Sequence, residues 1–585
     1  MAASTCDEIV NLRDFTAEDF GYGLDVAGLD MAALGDALRA VVSEVMLDPA
    51  RLGAWATEIA LADQSIGMGM LKRLALDPSA PVATPHGGDK RFSDPAWSAN
   101  PFLASMLEAY LVRAEAALKL IDASTLPATT RRKARFALTM LTDALAPSNV
   151  PWINPAVIKE AYETGGASLM RGMQTFLADV QTNDGKPRQV DISSFELGRN
   201  IAATPGRVVF RNELIELLAY EPQTPQVYAR PLLCSPPWIN KYYIMDLAPG
   251  RSFIEWAVRH GHQTFAISYR NPDATMAGLR IDDYLRLAPL AALDAIERIT
   301  GAKQTNIAAL CLGGTLTTIL LAYLAAHGES NRIGCATLTN TMVDFREPGD
   351  LGAFTDESTI AKLEGKMHER GFLDSSEMAG TFDWMRANDL IWGYVINNWF
   401  MGRQPPAFDI LRWNADNTRM PAAMHSQYLR SCYLTNSLVN AGAFSILDTP
   451  IGLRAIRTPL YILGAEGDHI APWRSSYMTV NAVGSADVTY TLTNAGHIAG
   501  IVNPPENRKA VHWTKPNTSA AESADQWRAS ATKHEGSWWQ HWAAWMETRA
   551  GARVAPFPLP PGERAPGRYV RNETGPPIEL RIPSV

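Results

Sequence analysis

Cysteine is scarce. Cys6, Cys234, Cys311, Cys335 and Cys432 are the five found in 585 residues. Their number is odd, their spacing is wide, and no two stand at CxxC separation. That pattern excludes a disulfide framework and a zinc knuckle, and no metal site is expected. It also points to a reducing cytoplasm. Clusters of positive charge are lacking too. Lysine and arginine (53) are outnumbered by aspartate and glutamate (61), and the formal net charge is −8. With no basic run and no interleaved aromatic stripe, nucleic acid is not an expected partner. The opening residues, MAASTCDEIVNLRDF, have no basic start followed by an apolar core, so no secretory signal is expected. No internal repeat is present.

One long uncharged run needs a membrane test. Residues 307–326 (IAALCLGGTLTTILLAYLAA) are 20 in number, enough to span a bilayer. The run holds a Gly-Gly pair and three threonines, and a strand pattern leads into it. A strand, a tight turn and a buried helix account for the same letters, so no transmembrane segment is expected.

What is present is ordinary globular material, 46% hydrophobic and 19% charged, with ample apolar content for a core. Residues 1–195 are expected to form a helical domain, with apolar positions three and four apart in 32–45 and 101–121. The polar, turn-rich stretch 181–194 (QTNDGKPRQVDISS) fits a linker. From 196 to 585 the pattern changes. Residues 208–219 fit a pair of strands around Arg211-Asn212. Strands are then expected at 231–234, 264–268, 306–310, 335–341, 460–464 and 488–492, and helices at 252–260, 281–299 and 315–327. Such alternation predicts an α/β architecture, a mostly parallel sheet with helices on both faces. Between 344 and 448 the alternation fails and Trp, Asn, Met and Pro accumulate, so this stretch is expected to be an inserted cap. Beyond His497 one helix (537–549) and a Pro/Gly-rich tail are expected.

The chemistry is expected at Cys311. The segment Ala309-Leu310-Cys311-Leu312-Gly313-Gly314 closes an apolar strand and opens an apolar helix. That is the setting of a nucleophile elbow, a sharp turn that lifts one side chain clear of the sheet. A helix start favours a thiolate, and the Leu312 amide points where an oxyanion would form. Taken alone, a cysteine there is more often a buried core residue. Two further positions strengthen it. Asp468 follows the strand at 460–464, and His497 follows the strand at 488–492. Nucleophile, acid and histidine, each just past a strand end and in this order, match the α/β-hydrolase arrangement. Read alone, Asp468 fits a turn aspartate and His497 a solvated loop histidine. In the catalytic reading His497 takes the thiol proton, Asp468 orients and stabilises the imidazolium, and Cys311 attacks an acyl carbonyl. The second oxyanion donor is expected from the backbone near Trp238 or Ile239.

With those residues in place, the chain resembles the polyhydroxyalkanoate synthases, closest to the class I single-subunit type. The segments that carry the resemblance are 236–246 (PPWINKYYIMD), 269–278 (YRNPDATMAG), 468–473 (DHIAPW), 496–504 (GHIAGIVNP) and 536–539 (GSWW). Weaker similarity runs from 94–97 (DPAW) to 566–569 (PGRY). The resemblance implies an α/β-hydrolase domain in which Cys311 is acylated by a 3-hydroxyacyl-coenzyme A. A polyester chain grows as coenzyme A leaves. It gives Asp468 a share in activating the incoming hydroxyl, and Asp246 and His469 pocket-supporting places. Coenzyme A is then part of the substrate and no cofactor is implied. The resemblance further implies a homodimer with contacts from the cap. It also implies a place in the cytoplasm at the polyester granule surface, with granule-associated proteins as further partners. Full length and the 312–315 continuation (LGGT) fit the class I type, and hence short 3-hydroxyacyl units such as 3-hydroxybutyryl. Two departures stand out: Ala309 where the box usually has glycine, and MPAAMHSQ at 420–427 where typical members have an aromatic-rich stretch.

Two other functions fit parts of the pattern. A thioesterase or depolymerase of the same fold would deacylate with water, but such enzymes usually carry serine at the elbow. A non-catalytic, granule-coating paralogue is supported only by Ala309, since Cys311, Asp468 and His497 are all retained.

Overall fold

The computed structural model describes residues 29–578 apart from 78–79, 88, 516–517 and 519. Cys6 and the opening segment weighed as a signal lie outside the described residues. The described chain packs as two units. One runs up to Asp191 and includes Glu377–Pro406; the other comprises Ile192–Ser376 and continues from Ala407.

The first unit is helical: α1 (Met31–Met46), α2 (Pro49–Leu74), α3 (Pro101–Asp122), α4 (Ala128–Ala144) and α5 (Ala167–Thr182). Local chemistry sets several of their starts. Asp30, Asp48 and Asn100 each accept a backbone N–H of the first turn, and Pro49 and Pro101 supply a preset φ at the first helical position. Ala37, Val41 and Val45 of α1 pack with Ile121 and Ala134.

Placing 344–448 wholly in the catalytic domain does not match this packing. Its middle, Glu377–Pro406, belongs to the helical unit. The reason lies in the residues that made the stretch look like a cap. The Trp399 indole donates to buried Asp179 at 2.9 Å, and its ring meets Phe176 edge-on at 5.0 Å. Gly172 has no side chain because a Cβ there would overlap the Trp399 carbonyl oxygen. Gln189 donates to Asp383 at 2.9 Å and to the Leu390 carbonyl at 2.8 Å.

The second unit is built on a ten-stranded sheet. In chain order the strands are β1 (Gly206–Arg211), β2 (Ile215–Tyr220), β3 (Leu232–Ser235), β4 (Thr264–Tyr269), β5 (Thr305–Leu310), β6 (Ile333–Thr339), β7 (Leu460–Ala465), β8 (Val488–Thr493), β9 (Val511–Thr514) and β10 (Thr532–Glu535). Across the sheet they lie β1-β2-β4-β3-β5-β6-β7-β8-β9-β10. The six from β4 to β8 in that order pair in parallel, and the outer pairs are antiparallel. Every residue of β2, β4, β5 and β7 is buried, the expected result of helices on both faces.

The antiparallel strands β9 and β10, the second of which forms one edge of the sheet, were not expected from the sequence. All of β10 is exposed, and its residues, Thr-Lys-His-Glu, carry no apolar alternation. The Pro/Gly-rich tail is also less free than its composition suggests. Glu216, fully buried on β2, accepts from the Arg211 guanidinium and from the backbone N–H groups of Arg568 and Tyr569. The tail thus satisfies a buried carboxylate that would otherwise be costly.

The uncharged run 307–326 divides as expected, into β5, Cys311 and α6 (Leu312–Ala326). Among the described residues no helix is long and apolar enough to cross a membrane.

Candidate active site

Cys311 sits between β5 and α6 with φ +52° and ψ −120°. A non-glycine residue avoids positive φ because of its Cβ, so the surroundings must hold it there. Its N–H donates to the Thr339 carbonyl at 2.9 Å. Its carbonyl accepts from the N–H groups of Gly314 (2.9 Å) and Thr315 (3.1 Å), and from the Thr341 hydroxyl at 3.3 Å. The two glycines are there for space. A Cβ on Gly313 would overlap the Ser235 carbonyl oxygen, and one on Gly314 would overlap the Thr341 hydroxyl. Ala309 lies upstream in β5, buried and opposite Ser235 and Leu338, so its methyl group is accommodated.

Asp468 ends the turn after β7. One carboxylate oxygen, Oδ1, accepts the N–H groups of Ile470 (2.9 Å) and Ala471 (2.8 Å). The other, Oδ2, meets His497 Nδ1 at 2.6 Å. With Nδ1 so engaged, the second ring nitrogen is left to serve Cys311, which lies close enough to act on the His497 charge. Both Asp468 and His497 are buried, and Cys311 is partly exposed. Burial discourages a charged imidazole. Asp468 and then Cys311 outweigh it, by charge and by hydrogen bonding, and hold the His497 pKa well above its ordinary value.

The remaining expected site residues divide. Leu312 opens α6, so its N–H is among those that a helix start leaves unpaired, at the positive end of the dipole. The loop after β3 abuts the elbow through Ser235 and Pro236. Trp238 follows, buried, with its ring edge-on to Tyr284 (5.9 Å) and Tyr428 (5.8 Å); Ile239 is half-buried. His469 is half-buried beside Asp468, its carbonyl against Gly349. Asp246 stands in a different group. Its Oδ1 accepts the hydroxyls of Thr204 (2.5 Å) and Ser252 (2.7 Å), and burial, opposed by these hydrogen bonds, pushes its pKa up to about 6.

Sequence reasoning missed several neighbours of the centre. Tyr428 and Tyr433 lie close enough to feel the charge on Cys311, and Phe345 packs on both rings, at 6.0 and 4.8 Å. Asn340 donates to the His497 carbonyl. None has a spacing signal, because each arrives from a distant segment. Among the described residues, no group of three or more His, Cys, Asp or Glu could hold a metal ion.

Fold and site together define an α/β-hydrolase-fold enzyme with a cysteine at the elbow. Residues 243–504 match the alpha/beta hydrolase fold, and residues 88–257 match the family described as the N-terminus of poly-beta-hydroxybutyrate polymerase. The chain is 40% identical to the poly(3-hydroxyalkanoate) polymerase of Methylorubrum extorquens, with 96% of this chain and 94% of that one covered. It is 42% identical to the poly(3-hydroxyalkanoate) polymerase subunit of Rhizobium meliloti, covering 86% and 82%. With the corresponding subunit of Cupriavidus necator the identity is 41%, covering 83% of each. The chain belongs to the poly(3-hydroxyalkanoate) polymerase family.

Proposed function

We propose that the protein polymerises 3-hydroxyacyl-coenzyme A into polyester through an acyl-enzyme on Cys311. The observation that carries this reading is the grouping of Cys311 at the elbow with His497 and Asp468, with 2.6 Å between His497 Nδ1 and Asp468. In the first half-reaction His497 takes the thiol proton. The sulfur bonds to the thioester carbonyl carbon, the bond to coenzyme A breaks, and the departing thiolate takes the proton back. The Leu312 N–H is placed to stabilise the intermediate oxyanion. In the second half-reaction the 3-hydroxyl of a chain end or an incoming unit loses its proton to His497, with Asp468 supporting the charge. Its oxygen bonds to the acyl carbon, the bond to the Cys311 sulfur breaks, and His497 returns the proton to the departing thiolate. Each cycle makes one ester and frees one thiol. No electron is exchanged, so the reaction calls on no cofactor.

The units proposed are short ones such as 3-hydroxybutyryl, taken up beside Tyr428 and Tyr433, which lie near Cys311. A granule-surface location in the cytoplasm is supported by apolar exposure on the helical unit. On α2, Leu61, Met68 and Leu71 share one face and are 59%, 54% and 62% exposed. A homodimer with cap contacts, and Trp238 or Ile239 as the second oxyanion donor, complete the reading. Assays with 3-hydroxybutyryl-coenzyme A test it. Thiol release with matching insoluble polyester is expected, and release with only free hydroxy acid would make the protein a thioesterase.

A further inference from the structure

Asn340 links the nucleophile and the base from behind. It follows β6 in the left-handed region, with φ +46°, where asparagine is better tolerated than most residues. Its backbone N–H donates to the Leu463 carbonyl on β7 at 2.8 Å. The residue before it, Thr339, accepts the N–H of Cys311. Its own side chain is fully buried, and its Nδ2 donates to the His497 carbonyl at 2.5 Å. Two consecutive residues therefore hold a main-chain group of the nucleophile and a main-chain group of the base.

The rest of the histidine loop is fixed by a later segment of the chain. The Trp538 indole donates to the Gly500 carbonyl at 2.6 Å and the Trp539 indole to the Ile501 carbonyl at 3.1 Å. The Ser537 hydroxyl donates to the Asn503 carbonyl. These bonds secure the loop from Gly500 onward. At His497 itself the demand is stricter. One imidazole must reach Asp468 and Cys311 at once, from opposite nitrogens. A small rotation of the His497 peptide would lengthen one of those bonds, and misplacement by an ångström at a reacting group costs about a hundredfold in rate.

We infer that Asn340 is a positioning residue that sets the register of His497 between Cys311 and Asp468. The inference rests on the acyl-enzyme reading above. It assigns Asn340 no contact with substrate. Its effect is carried by the amide donor, so it belongs to kcat and leaves thioester binding alone.

Two variants separate this role from a merely structural one. Asn340→Gly keeps the left-handed backbone and deletes the amide. Asn340→Asp keeps the shape but sets a carboxylate against the His497 carbonyl. Only its protonated form can donate, and burial raises the pH at which it protonates. Coenzyme A release is followed for the wild type, Cys311→Ala and both variants from pH 5 to 9, with circular dichroism to confirm folding. Asn340→Gly is expected to lose roughly 10- to 100-fold in kcat, with KM within about twofold. The activity of Asn340→Asp relative to wild type is expected to rise as pH falls. The inference is overturned by a folded Asn340→Gly protein with unchanged kcat, by an Asn340→Asp ratio that is flat with pH, or by loss of folding in both variants, which would make the residue structural. Failure of the acyl-enzyme reading itself would look different: no release from wild type, or release retained by Cys311→Ala.

Discussion

His497 is the residue on which the chemistry turns, and its environment makes a quantitative demand. Burial disfavours its charge, and Asp468 and Cys311 more than restore it. In Asp468→Asn the largest of the two restoring partners is gone, so the imidazole loses protons more readily and is less firmly aimed. We expect kcat for polymerisation to fall about a thousandfold or more, by the precedent of neutralised triad aspartates. The loss in single-turnover acylation should be smaller, because a hydroxyl needs more help than a thiol to lose its proton. Equal losses in the two assays would remove Asp468 from hydroxyl activation. Asp246 makes a different demand. Its folded-state pKa, about 6, exceeds the ordinary carboxyl value. The stability this contributes is complete below about pH 4 and is lost as pH rises through 6, by about 3 kcal/mol in all. Asp246→Asn should flatten that fall in urea-unfolding midpoints measured from pH 4 to 8. An unchanged slope would contradict the burial account.

At the scale of elements, the elbow is defined by what cannot fit. A methyl group on Gly313 would overlap the carbonyl of Ser235, at the end of β3, so backbone must move against backbone. Gly313→Ala is expected to lower unfolding stability by about 1–3 kcal/mol and to displace Cys311, with coenzyme A release falling in parallel. Unchanged stability and activity would mean that the loop after β3 yields. The same elements show what was legible in the sequence. Strand, turn and helix around Cys311 could be read because apolar runs and a Gly-Gly pair are local signals. Asp468 and His497 could be placed because both follow strands with continuous apolar residues. The expected helix 281–299 is two α-helical pieces around a π-turn at Arg286–Leu290, where Pro289 lacks an N–H to donate. Strand β10 was hidden because its side chains are polar, and its pairing with β9 is a main-chain property.

For the molecule as a whole, the sequence separated helical from α/β material but misplaced the seam. Glu377–Pro406 joins the helical unit through Trp399, Asp383 and Gly172, contacts between segments some 200 positions apart that no window of sequence displays. Asn340 was invisible for the same reason: its bond to His497 spans 157 positions. The Gly-Ser-Trp-Trp stretch, by contrast, was visible as a motif and gains its cause from the structure, since both indoles and the serine hydroxyl hold the histidine loop. All these supports converge on one claim, that Cys311 carries the acyl group. The most direct measurement is intact-protein mass spectrometry after brief mixing with 3-hydroxybutyryl-coenzyme A, comparing wild type with Cys311→Ala. A hydroxyacyl adduct mapped to Cys311 is expected in the wild type, and a folded Cys311→Ala protein with no adduct and no coenzyme A release. An adduct that persists in Cys311→Ala would contradict the claim.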